Sequence, residues 1–425
     1  MRRLHLLLAL ALAACASPAD RRPAPPSQPA PPPPAVSTGP VTPPAASGDM
    51  VFDAWASGFY ARAVAAGVPP ALIAREFQGL TPDPRVARLD TRQPEFSKPL
   101  SDYVRGVVTP ARAAMGQARA QSIAAFPAIE QRYGVPREIL LGVWAMESGF
   151  GVLQGDFDVL RAMATLAAQG RRREFAESQL IAILEMIGSG EVTRAQLKGS
   201  WAGAMGQTQF IPTTFLASAV DGDGDGRRDI WGSAPDALAS AANLLRQAGW
   251  KPGQDWAREV IAPAGFDYSV TEGPEKTPAE WEALGVRRAD GQPWPEADAA
   301  APAQLAAPTG AQGPLFLLFP NHFAIRKYNN SLAYALSVGL LADRIAGRSA
   351  LARPWPEEAP LSLADRMTAQ RALAALGFDP GAPDGLIGLK TRNALRAWQK
   401  GRGLAADGYL SPGTVRRLKS EAQAG

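Results

Sequence analysis

The chain has 425 residues, 46% of them hydrophobic, so it is long enough for more than one domain with a buried core. Its net charge of +4 and its scattered arginines do not favour a nucleic-acid-binding surface. It contains only two histidines, His5 and His322. A histidine-based zinc site is therefore disfavoured and a Ser-His-Asp triad would need His322, so the chemistry is expected to depend on carboxylates.

The first 17 residues have the features of an export signal. Arg2 and Arg3 precede an apolar run, Leu4 to Leu12, that is too short to span a bilayer. The run leads into Cys15, in a Leu-Ala-Ala-Cys sequence that resembles the lipobox of bacterial lipoproteins. Cys15 is the only cysteine, so the mature chain forms no internal disulfide. The resemblance implies a lipid anchor on Cys15 at the periplasmic face of the outer membrane, with plain secretion as the alternative.

Residues 18–48 are dominated by proline, alanine and serine. This composition cannot bury a core and favours extended polyproline II structure. At about 3.1 Å per residue, a segment of this length could hold the folded part up to roughly 90 Å from the lipid. We predict a disordered tether, as expected if the substrate is a large insoluble body away from the membrane.

From residue 49, apolar residues recur mainly at three- and four-residue spacing, which predicts helices. The predicted helices are Phe52–Ala66, Pro69–Phe77, Pro110–Tyr133, Pro136–Glu147, Asp156–Ala168, Arg173–Ser189, Pro212–Ala219, Ala234–Ala248 and Ala333–Ala346. The predicted strands of a small sheet are Glu259–Ala262, Phe266–Val270 and Leu315–Phe319. We therefore predict a mainly α domain over 49–350 with a small β-containing subdomain, a linker over 351–361 and a compact helical domain over 362–420.

The helix predicted over Pro136–Glu147 ends with a glutamate on its apolar face, four residues beyond Val143. Burial there, and the negative end of the helix dipole before Gly149, would both raise the pKa of Glu147. A carboxylic acid that stays protonated near neutral pH is what a general acid requires. On spacing alone, a glutamate paired with a buried arginine or exposed at a frayed helix end is the alternative.

Several motifs, in order along the chain, resemble the membrane-bound lytic murein transglycosylase B family. They are Glu147-Ser148-Gly149-Phe150-Gly151, Phe157–Arg161 with Ala164–Ala167, Gly199–Pro212, Asp236–Asn243, Pro320–His322 and Lys327–Ser331. The similarity covers about Phe52 to Arg348. It implies a lysozyme-like α+β catalytic domain.

The resemblance implies cleavage of the β-1,4 bond between N-acetylmuramic acid and N-acetylglucosamine in peptidoglycan, without a cofactor and without water as the nucleophile. Glu147 would protonate the glycosidic oxygen and then accept the proton of the muramic C6 hydroxyl, which closes a 1,6-anhydro ring. The substrate's acetamido group would replace the second carboxylate of ordinary glycosidases. A hydrolytic muramidase and an inactive wall-anchoring lipoprotein are the alternatives. Nothing in the sequence directs Asp156 or Asp158 at the bond.

The resemblance also implies a set of substrate-binding residues around the sugar cleft. They are Ser200 and Gln209 on one wall, Tyr328 and Asn329 on the opposite wall, and the basic pair Arg172 and Arg173. The two arginines would meet peptide or lactyl carboxylates through charge-assisted hydrogen bonds. Structural alternatives are a core position for Tyr328, a solvated helix start for the arginines and a turn cap for Ser200.

Residues 221–229 have the ligand spacing of an EF-hand loop, with Gly226 at position six. The aspartates at positions one, three, five and nine are Asp221, Asp223, Asp225 and Asp229. Position twelve is Gly232 instead of the usual glutamate. The family resemblance implies a longer loop closed by Asp236, with the carbonyl of Arg227 as a further ligand. We predict a structural Ca²⁺ site, with a plain Asp/Gly turn as the alternative.

The C-terminal segment resembles the small three-helix peptidoglycan-binding domain 1. The matching positions are Asp384–Gly388, Thr391, Ala394, Leu395, Trp398, Gln399, Asp407, Gly408 and Thr414. Leu395 and Trp398 share a helical face and by themselves indicate only a core. The resemblance implies that this domain binds the glycan strands of peptidoglycan. The expected partners are thus peptidoglycan and, through the lipid anchor, the membrane, with no nucleic acid.

Overall fold

A computed structural model describes residues 47–90 and 98–424. The predicted export signal with Cys15, and all but the last two residues of the predicted tether, lie outside the described residues. Within these two ranges, no helix has both the length and the apolar character that a membrane span requires.

Helices account for most of the described chain. The helices before residue 220 are α1 (Met50–Ala65), α2 (Pro70–Phe77), α3 (Pro84–Asp90), α4 (Leu100–Val107), α5 (Pro110–Ser122), α6 (Phe126–Tyr133), α7 (Arg137–Ser148), α8 (Val159–Gln169), α9 (Arg173–Gly188) and α10 (Pro212–Ser218). The later helices are α11 (Ala234–Gln247), α12 (Pro278–Ala283), α13 (Glu296–Ala299), α14 (Pro320–Tyr328), α15 (Leu332–Ile345), α16 (Leu363–Ala375), α17 (Leu389–Lys400) and α18 (Pro412–Ala424).

Proline and capping residues explain where the helices begin. The single helix predicted over Pro110–Tyr133 is wrong: the chain forms α5 and α6 instead, because Pro127 lies in the first turn of α6 and cannot donate a backbone hydrogen bond. Pro136 is the N-cap of α7 and not its first residue. Helix α8 begins three residues later than predicted, since the Asp158 side chain caps it by accepting from the N–H of Arg161.

Two helical lobes, each with its own hydrophobic core, form the large domain. The first lobe is built mainly from α4–α7, α11, α14 and α15, and the second mainly from α1–α3 and α8–α10. Tyr328, at the end of α14, packs against both cores. Within the first lobe, Gly142 of α7 allows close approach of α15, because a Cβ at this position would lie 2.7 Å from the Val338 carbonyl oxygen.

A four-stranded antiparallel sheet follows α11. Its strands are β3 (Ala257–Ile261), β4 (Arg287–Arg288), β5 (Gln304–Ala306) and β6 (Leu315–Leu318), in the order β4-β3-β6-β5. The remaining strands, β1 (Phe157–Asp158) and β2 (Lys198–Gly199), form a separate antiparallel pair. The strand predicted over Phe266–Val270 is wrong. A 3-10 turn begins there instead, because the Asp267 side chain accepts from the N–H of Ser269 and stabilises a turn.

Helices α16–α18 form a small C-terminal domain around buried Leu395 and Trp398. Glu272, in the loop before α12, accepts hydrogen bonds at 2.8 Å from both Arg392 and Arg396 of α17. Glu272 has a backbone φ of +58°, a strained conformation for a residue with a side chain. We call Glu272, Arg392 and Arg396 the domain bridge. It joins the C-terminal domain to the sheet region.

Candidate active site

Glu147 lies in the last turn of α7, half-buried between the two lobes. Gly149 ends the helix in the left-handed conformation, at a φ of +58° that glycine adopts without a steric cost. Its neighbour Ser148 is buried, and Val143, one turn earlier, is fully buried. The apolar helix face predicted for Glu147 is therefore present. The raised pKa expected for its carboxyl group stays a prediction.

The Tyr334 hydroxyl donates a hydrogen bond of 2.5 Å to Oε1 of Glu147. Tyr334 lies in the first turn of α15, which is capped by the Ser331 side chain, and only 3% of its surface is exposed. Burial, and then the charge of Glu147, raise the pKa of Tyr334 well above its ordinary value. The phenol therefore remains a proton-carrying donor and orients one oxygen of the carboxylate.

Tyr328 lies beside this pair and connects it to the second lobe. Its ring stacks on that of Tyr334 with centroids 6.5 Å apart, and its hydroxyl donates a 2.6 Å hydrogen bond to the carbonyl of Thr208. Burial, and then the charge of Glu147, also raise the pKa of Tyr328 well above its ordinary value. Glu147, Tyr334, Tyr328 and Thr208 thus form one contiguous group of contacts across the two lobes.

The loop over residues 200–210 packs under the end of α7. Gln207 is buried and accepts a 3.1 Å hydrogen bond from the Trp144 indole. The backbone carbonyl of Gln207 accepts a 2.5 Å hydrogen bond from the Ser148 hydroxyl. These contacts attach the loop to the residues beside Glu147. Sequence reasoning assigned no role to Gln207, Tyr334 or Thr208.

Two residues at this junction have strained backbone conformations. Phe150 and Gln209 have φ values of +63° and +51°, although neither is a glycine. The Gln209 amide donates to the carbonyls of Gly206 at 2.9 Å and Gln154 at 3.2 Å. These two bonds hold the Gln209 side chain in place. Both use the amide nitrogen, so the side-chain oxygen takes no part in them.

The other sequence-predicted binding residues are more loosely connected to this group. Ser200 follows β2, and its Oγ accepts from the N–H groups of Ala202 and Ala204 at 3.3 and 3.0 Å. Ser200 therefore caps the turn as an acceptor, and its own O–H takes no part in these two bonds. Asn329 is exposed directly after Tyr328.

The predicted basic pair lies at the start of α9. The guanidinium of Arg172 lies 4.6 Å from the ring centre of Phe175, and Arg173 donates to the Ala167 carbonyl at 3.2 Å. These contacts stabilise the helix start. The role of the pair in substrate binding stays a prediction.

The remaining candidate catalytic groups are engaged elsewhere. Asp158 caps α8 and forms a 2.7 Å ion pair with Arg194. Asp156 is exposed and forms a 3.3 Å ion pair with Arg85. His322 is fully buried, with its ring stacked on Trp256, and burial lowers its pKa to about 3. His322 is thus a neutral core residue and serves no triad.

The aspartates of the predicted metal loop converge. Within 4.8 Å of one another lie carboxylate oxygens of Asp221, Asp223, Asp225 and Asp236. Asp236 is buried and accepts from the N–H groups of Gly222 and Asp229 at 2.8 and 2.7 Å. Burial, together with the nearby charge of Asp223, raises the pKa of Asp236.

Asp229 takes a different role in the same loop. Its side chain accepts from the N–H groups of Trp231 and Gly232 at 3.0 and 2.9 Å and does not join the converging oxygens. The four converging carboxylates form an oxygen-rich arrangement that fits a hard divalent cation.

Two family models match the chain. The transglycosylase SLT domain matches residues 51–343, and a peptidoglycan binding domain matches residues 362–418. The chain is 34% identical over 226 residues to membrane-bound lytic murein transglycosylase B of Escherichia coli K12, covering 51% of this chain and 58% of that protein. The chain thus matches little more than half the length of that curated relative.

The chain is also similar to solved structures, among them the following two. SltB3 from Pseudomonas aeruginosa, in complex with NAG-anhNAM-pentapeptide, is 47% identical with a TM-score of 0.83, over 87% of this chain and 100% of that chain. E. coli lytic transglycosylase Slt35, in complex with calcium, is 28% identical with a TM-score of 0.58, over 69% of this chain and 92% of that chain.

Together, the fold and the glutamate between two helical lobes place this protein in the class of lysozyme-like lytic transglycosylases. The chain belongs to the transglycosylase SLT domain family, and its C-terminal segment matches a peptidoglycan binding domain. The fold class and the family resemblance stated from the sequence are confirmed.

Proposed function

We propose that this chain is a lytic murein transglycosylase that cleaves the β-1,4 bond between N-acetylmuramic acid and N-acetylglucosamine and leaves 1,6-anhydro ends. Glu147 acts first as the acid and then as the base. Ser200, Gln209, Tyr328 and Asn329 contact the sugars, and Arg172 and Arg173 contact lactyl or peptide carboxylates. The complex of SltB3 with NAG-anhNAM-pentapeptide supports this reaction for a relative of similar architecture.

The observation that carries the proposal is the setting of Glu147. Its Oε1 accepts from Tyr334, a buried phenol that stays protonated, so the carboxyl group has a defined orientation between the lobes. A single oriented carboxyl group suffices for a reaction in which the substrate supplies the nucleophile, whereas a hydrolase needs a second carboxylate across the bond. The two sequence-adjacent candidates, Asp156 and Asp158, are committed to ion pairs with arginines.

A Glu147→Gln variant tests the assignment, because the amide keeps the shape of the side chain but cannot donate the proton. We expect loss of turnover of purified sacculi at an unchanged melting temperature. Glu138→Gln, on the first turn of the same helix, is the matched control and should retain activity.

Mass spectrometry of the released muropeptides distinguishes the two enzymatic alternatives. Anhydro-muramic ends support the transglycosylase, and reducing ends would support a hydrolytic muramidase. Full activity of the Glu147→Gln variant would assign the acid to another residue. An inactive unmodified chain that still binds sacculi would support the wall-anchoring alternative.

The proposal includes the organisation of the whole chain. A lipidated Cys15 at the periplasmic face of the outer membrane and a tether over 18–48 carry the catalytic domain over 49–350. A linker over 351–361 leads to the peptidoglycan-binding domain over 362–420. A palmitate label that is incorporated by the full-length chain but not by its Cys15→Ser variant would support the anchor.

We also propose a structural Ca²⁺ held by Asp221, Asp223, Asp225 and Asp236, with the carbonyl of Arg227 as a further ligand. The converging carboxylates and the calcium complex of Slt35 support it. The ion would stabilise the segment between α10 and α11 by neutralising the mutual repulsion of these carboxylates. The reaction itself requires no cofactor.

A further inference from the structure

Gln207, in the loop that packs under the end of α7, forms hydrogen bonds with both its side chain and its backbone. The side-chain oxygen accepts from the Trp144 indole, and the side-chain nitrogen donates to the carbonyl of Trp231, each at 3.1 Å. The backbone carbonyl accepts from the Ser148 hydroxyl at 2.5 Å, and the backbone N–H donates to the carbonyl of Ile230 at 2.9 Å. Gln207 therefore joins the end of α7 to residues 230 and 231 by two bonds on each side.

The two bonds to α7 reach residues on either side of Glu147 in the sequence. Trp144 precedes Glu147 by three residues, and Ser148 follows it directly. The end of a helix is its least constrained part, because the last carbonyl groups have no N–H partner within the helix. Gln207 is only 6% exposed, so solvent competes little for its hydrogen bonds. The turn that carries Glu147 is therefore held in part by Gln207.

Close packing on both sides restricts Gln207 further. A Cβ at Gly151, in the turn that follows Glu147, would lie 2.6 Å from the side-chain oxygen of Gln207. A Cβ at Gly206 would lie 2.7 Å from the carbonyl oxygen of Ile230. The chain thus approaches the Gln207 loop closely from two directions. Gln207 has little room to move unless the end of α7 or the segment at Ile230 moves with it.

Residues 229–232 form a turn that is fixed by Asp229, and we call it the 229–232 turn. The Asp229 carboxylate accepts from the N–H of Trp231 at 3.0 Å, and its N–H donates to Asp236 of the metal loop at 2.7 Å. Besides Gln207, the Trp231 carbonyl accepts from the side chain of Gln154 at 3.1 Å. The Trp231 indole donates to the carbonyl of Lys198 in β2 at 3.1 Å. The 229–232 turn is therefore attached to several segments around the Glu147 site.

We propose that Gln207 is a positioning residue for Glu147, which couples the 229–232 turn to the end of α7. The inference rests on the proposed function, in which Glu147 is the acid. A general acid must lie within hydrogen-bonding reach of the oxygen that it protonates, and a misplacement of about 1 Å can cost roughly a hundredfold in rate. Tyr334 directs one carboxyl oxygen of Glu147, whereas Gln207 holds the helix turn from which that carboxyl group extends.

The first test is Gln207→Met, which keeps the approximate length of the side chain and removes both of its amide bonds. We expect kcat to fall about tenfold while KM changes little, because the acid is displaced and the sugar contacts remain. Gln179→Met is the matched control. Gln179 is also buried in the second lobe, where it accepts from the N–H and the hydroxyl of Thr213 at 3.0 Å and joins α9 to α10. The control should lose stability and keep its kcat.

Steady-state kinetics on glycan strands, below the melting temperature of every variant, measures both constants for the full chain. An unchanged kcat in the folded Gln207→Met variant would overturn the inference. An equal fall of kcat in Gln179→Met would also overturn it, because the effect would then reflect a general loss of stability.

The second test is a double-mutant cycle between Gln207 and Asp229, in one calcium-containing buffer. Asp229→Ala removes the acceptor that fixes the 229–232 turn, and we expect it to lower kcat about threefold in the otherwise unmodified chain. In the Gln207→Met background it should have little further effect, because the coupling is already lost. Asp229→Asn keeps an oxygen that can accept the same N–H groups, so it should retain kcat.

Equal effects of Asp229→Ala in the two backgrounds would overturn the coupling, since independent sites give additive changes. A folded wild-type chain without activity, or a fully active Glu147→Gln variant, would instead contradict the proposed function itself.

Discussion

Glu147 and Tyr334 act as a unit in this structure, because the phenol fixes the direction of one carboxyl oxygen. We expect Tyr334→Phe to lower kcat about tenfold while KM changes little, since a hydrogen bond to a charged group is worth roughly 1.5–3 kcal/mol. Steady-state kinetics on peptide-free strands measures both constants. Tyr409→Phe is the comparison, because its hydroxyl donates to the carboxylate of Glu358 and not to the acid. An equal fall in kcat for both variants would argue against a specific role for Tyr334.

His322 should make stability depend on pH. Burial lowers the pKa of His322 to about 3 in the folded chain, from an ordinary value of about 6.5. Between these two pH values the imidazole is protonated in the unfolded chain and neutral in the folded chain, so protonation favours unfolding. The destabilisation grows as pH falls from 6.5 towards 3. Between pH 7 and pH 5, the chain should lose about 2 kcal/mol more unfolding free energy than His322→Phe. Denaturant unfolding at both pH values measures this difference, and equal losses would contradict the assignment.

Residue-level prediction from the sequence succeeded where a local motif carries the chemistry and failed where the partner is distant. Glu147 could be identified from its place on an apolar helix face and from the motif around it. Tyr334 lies 187 residues further along the chain, and no pattern in the sequence indicates that its hydroxyl reaches Glu147. Such contacts depend on the packing of α15 against α7, which local periodicity does not specify.

That packing depends on one small residue in α7. We expect Gly142→Ala to lower the unfolding free energy by about 1–3 kcal/mol, because the new Cβ would lie 2.7 Å from a backbone oxygen of α15 that cannot move alone. Gly106→Ala in α4 is the control, since no atom lies within 4 Å of its Cβ position. It should stabilise the helix by roughly 0.5–1 kcal/mol. Thermal unfolding of both variants measures the two changes in unfolding free energy, which should have opposite signs. Similar changes in the two variants would show that α7 and α15 are not in close contact at Gly142.

The aspartate loop should respond to removal of calcium. At a free calcium concentration a hundredfold above Kd, binding stabilises the fold by about 2.7 kcal/mol. Chelation should therefore lower the melting temperature by roughly 3–5 °C, because a fold of about 300 residues or more has an unfolding entropy of roughly 0.6–0.8 kcal/mol/K. Asp223→Asn should reduce this shift, and Asp229→Asn should retain it, because Asp229 binds backbone N–H groups and not the ion. A melting temperature that does not change on chelation would argue against a bound ion.

At the level of elements, the sequence predicted long helices well and the sheet poorly. Short strands such as β4 and β5 have two or three residues each, too few for a recognisable alternation. The apolar segment around Phe266 resembled a strand, but the side chain of Asp267 stabilises a turn there. The edge of the sheet is formed by β5 instead. Turn-forming side chains therefore decided the outcome where the apolar pattern was ambiguous.

The domain bridge is one of the contacts that join the C-terminal domain to the sheet region. We expect Glu272→Ala to increase the radius of gyration of the full chain and to separate the unfolding of the C-terminal domain, because two buried or half-buried arginines lose their shared carboxylate. Glu275→Ala, exposed three residues away, is the control. Small-angle scattering and calorimetry make the measurement. Identical curves for both variants would show that other contacts hold the domains together.

The domain bridge also has a defined pH range. Burial alone would raise the pKa of Glu272, but the hydrogen bonds and charges of Arg396 and Arg392 outweigh it and lower the pKa. A carboxyl group whose folded pKa is lowered contributes stability above its unfolded pKa and loses that contribution as pH falls. At neutral pH the bridge is therefore fully formed.

The bridge holds the wall-binding end of the protein at a set separation from Glu147. Under the proposed function, only a glycan long enough to span that separation occupies both places at once and gains the avidity of two attachments. Fragments that are too short keep a single attachment and dissociate sooner. The enzyme would then stay bound to the intact wall and release its own small products without a conformational change.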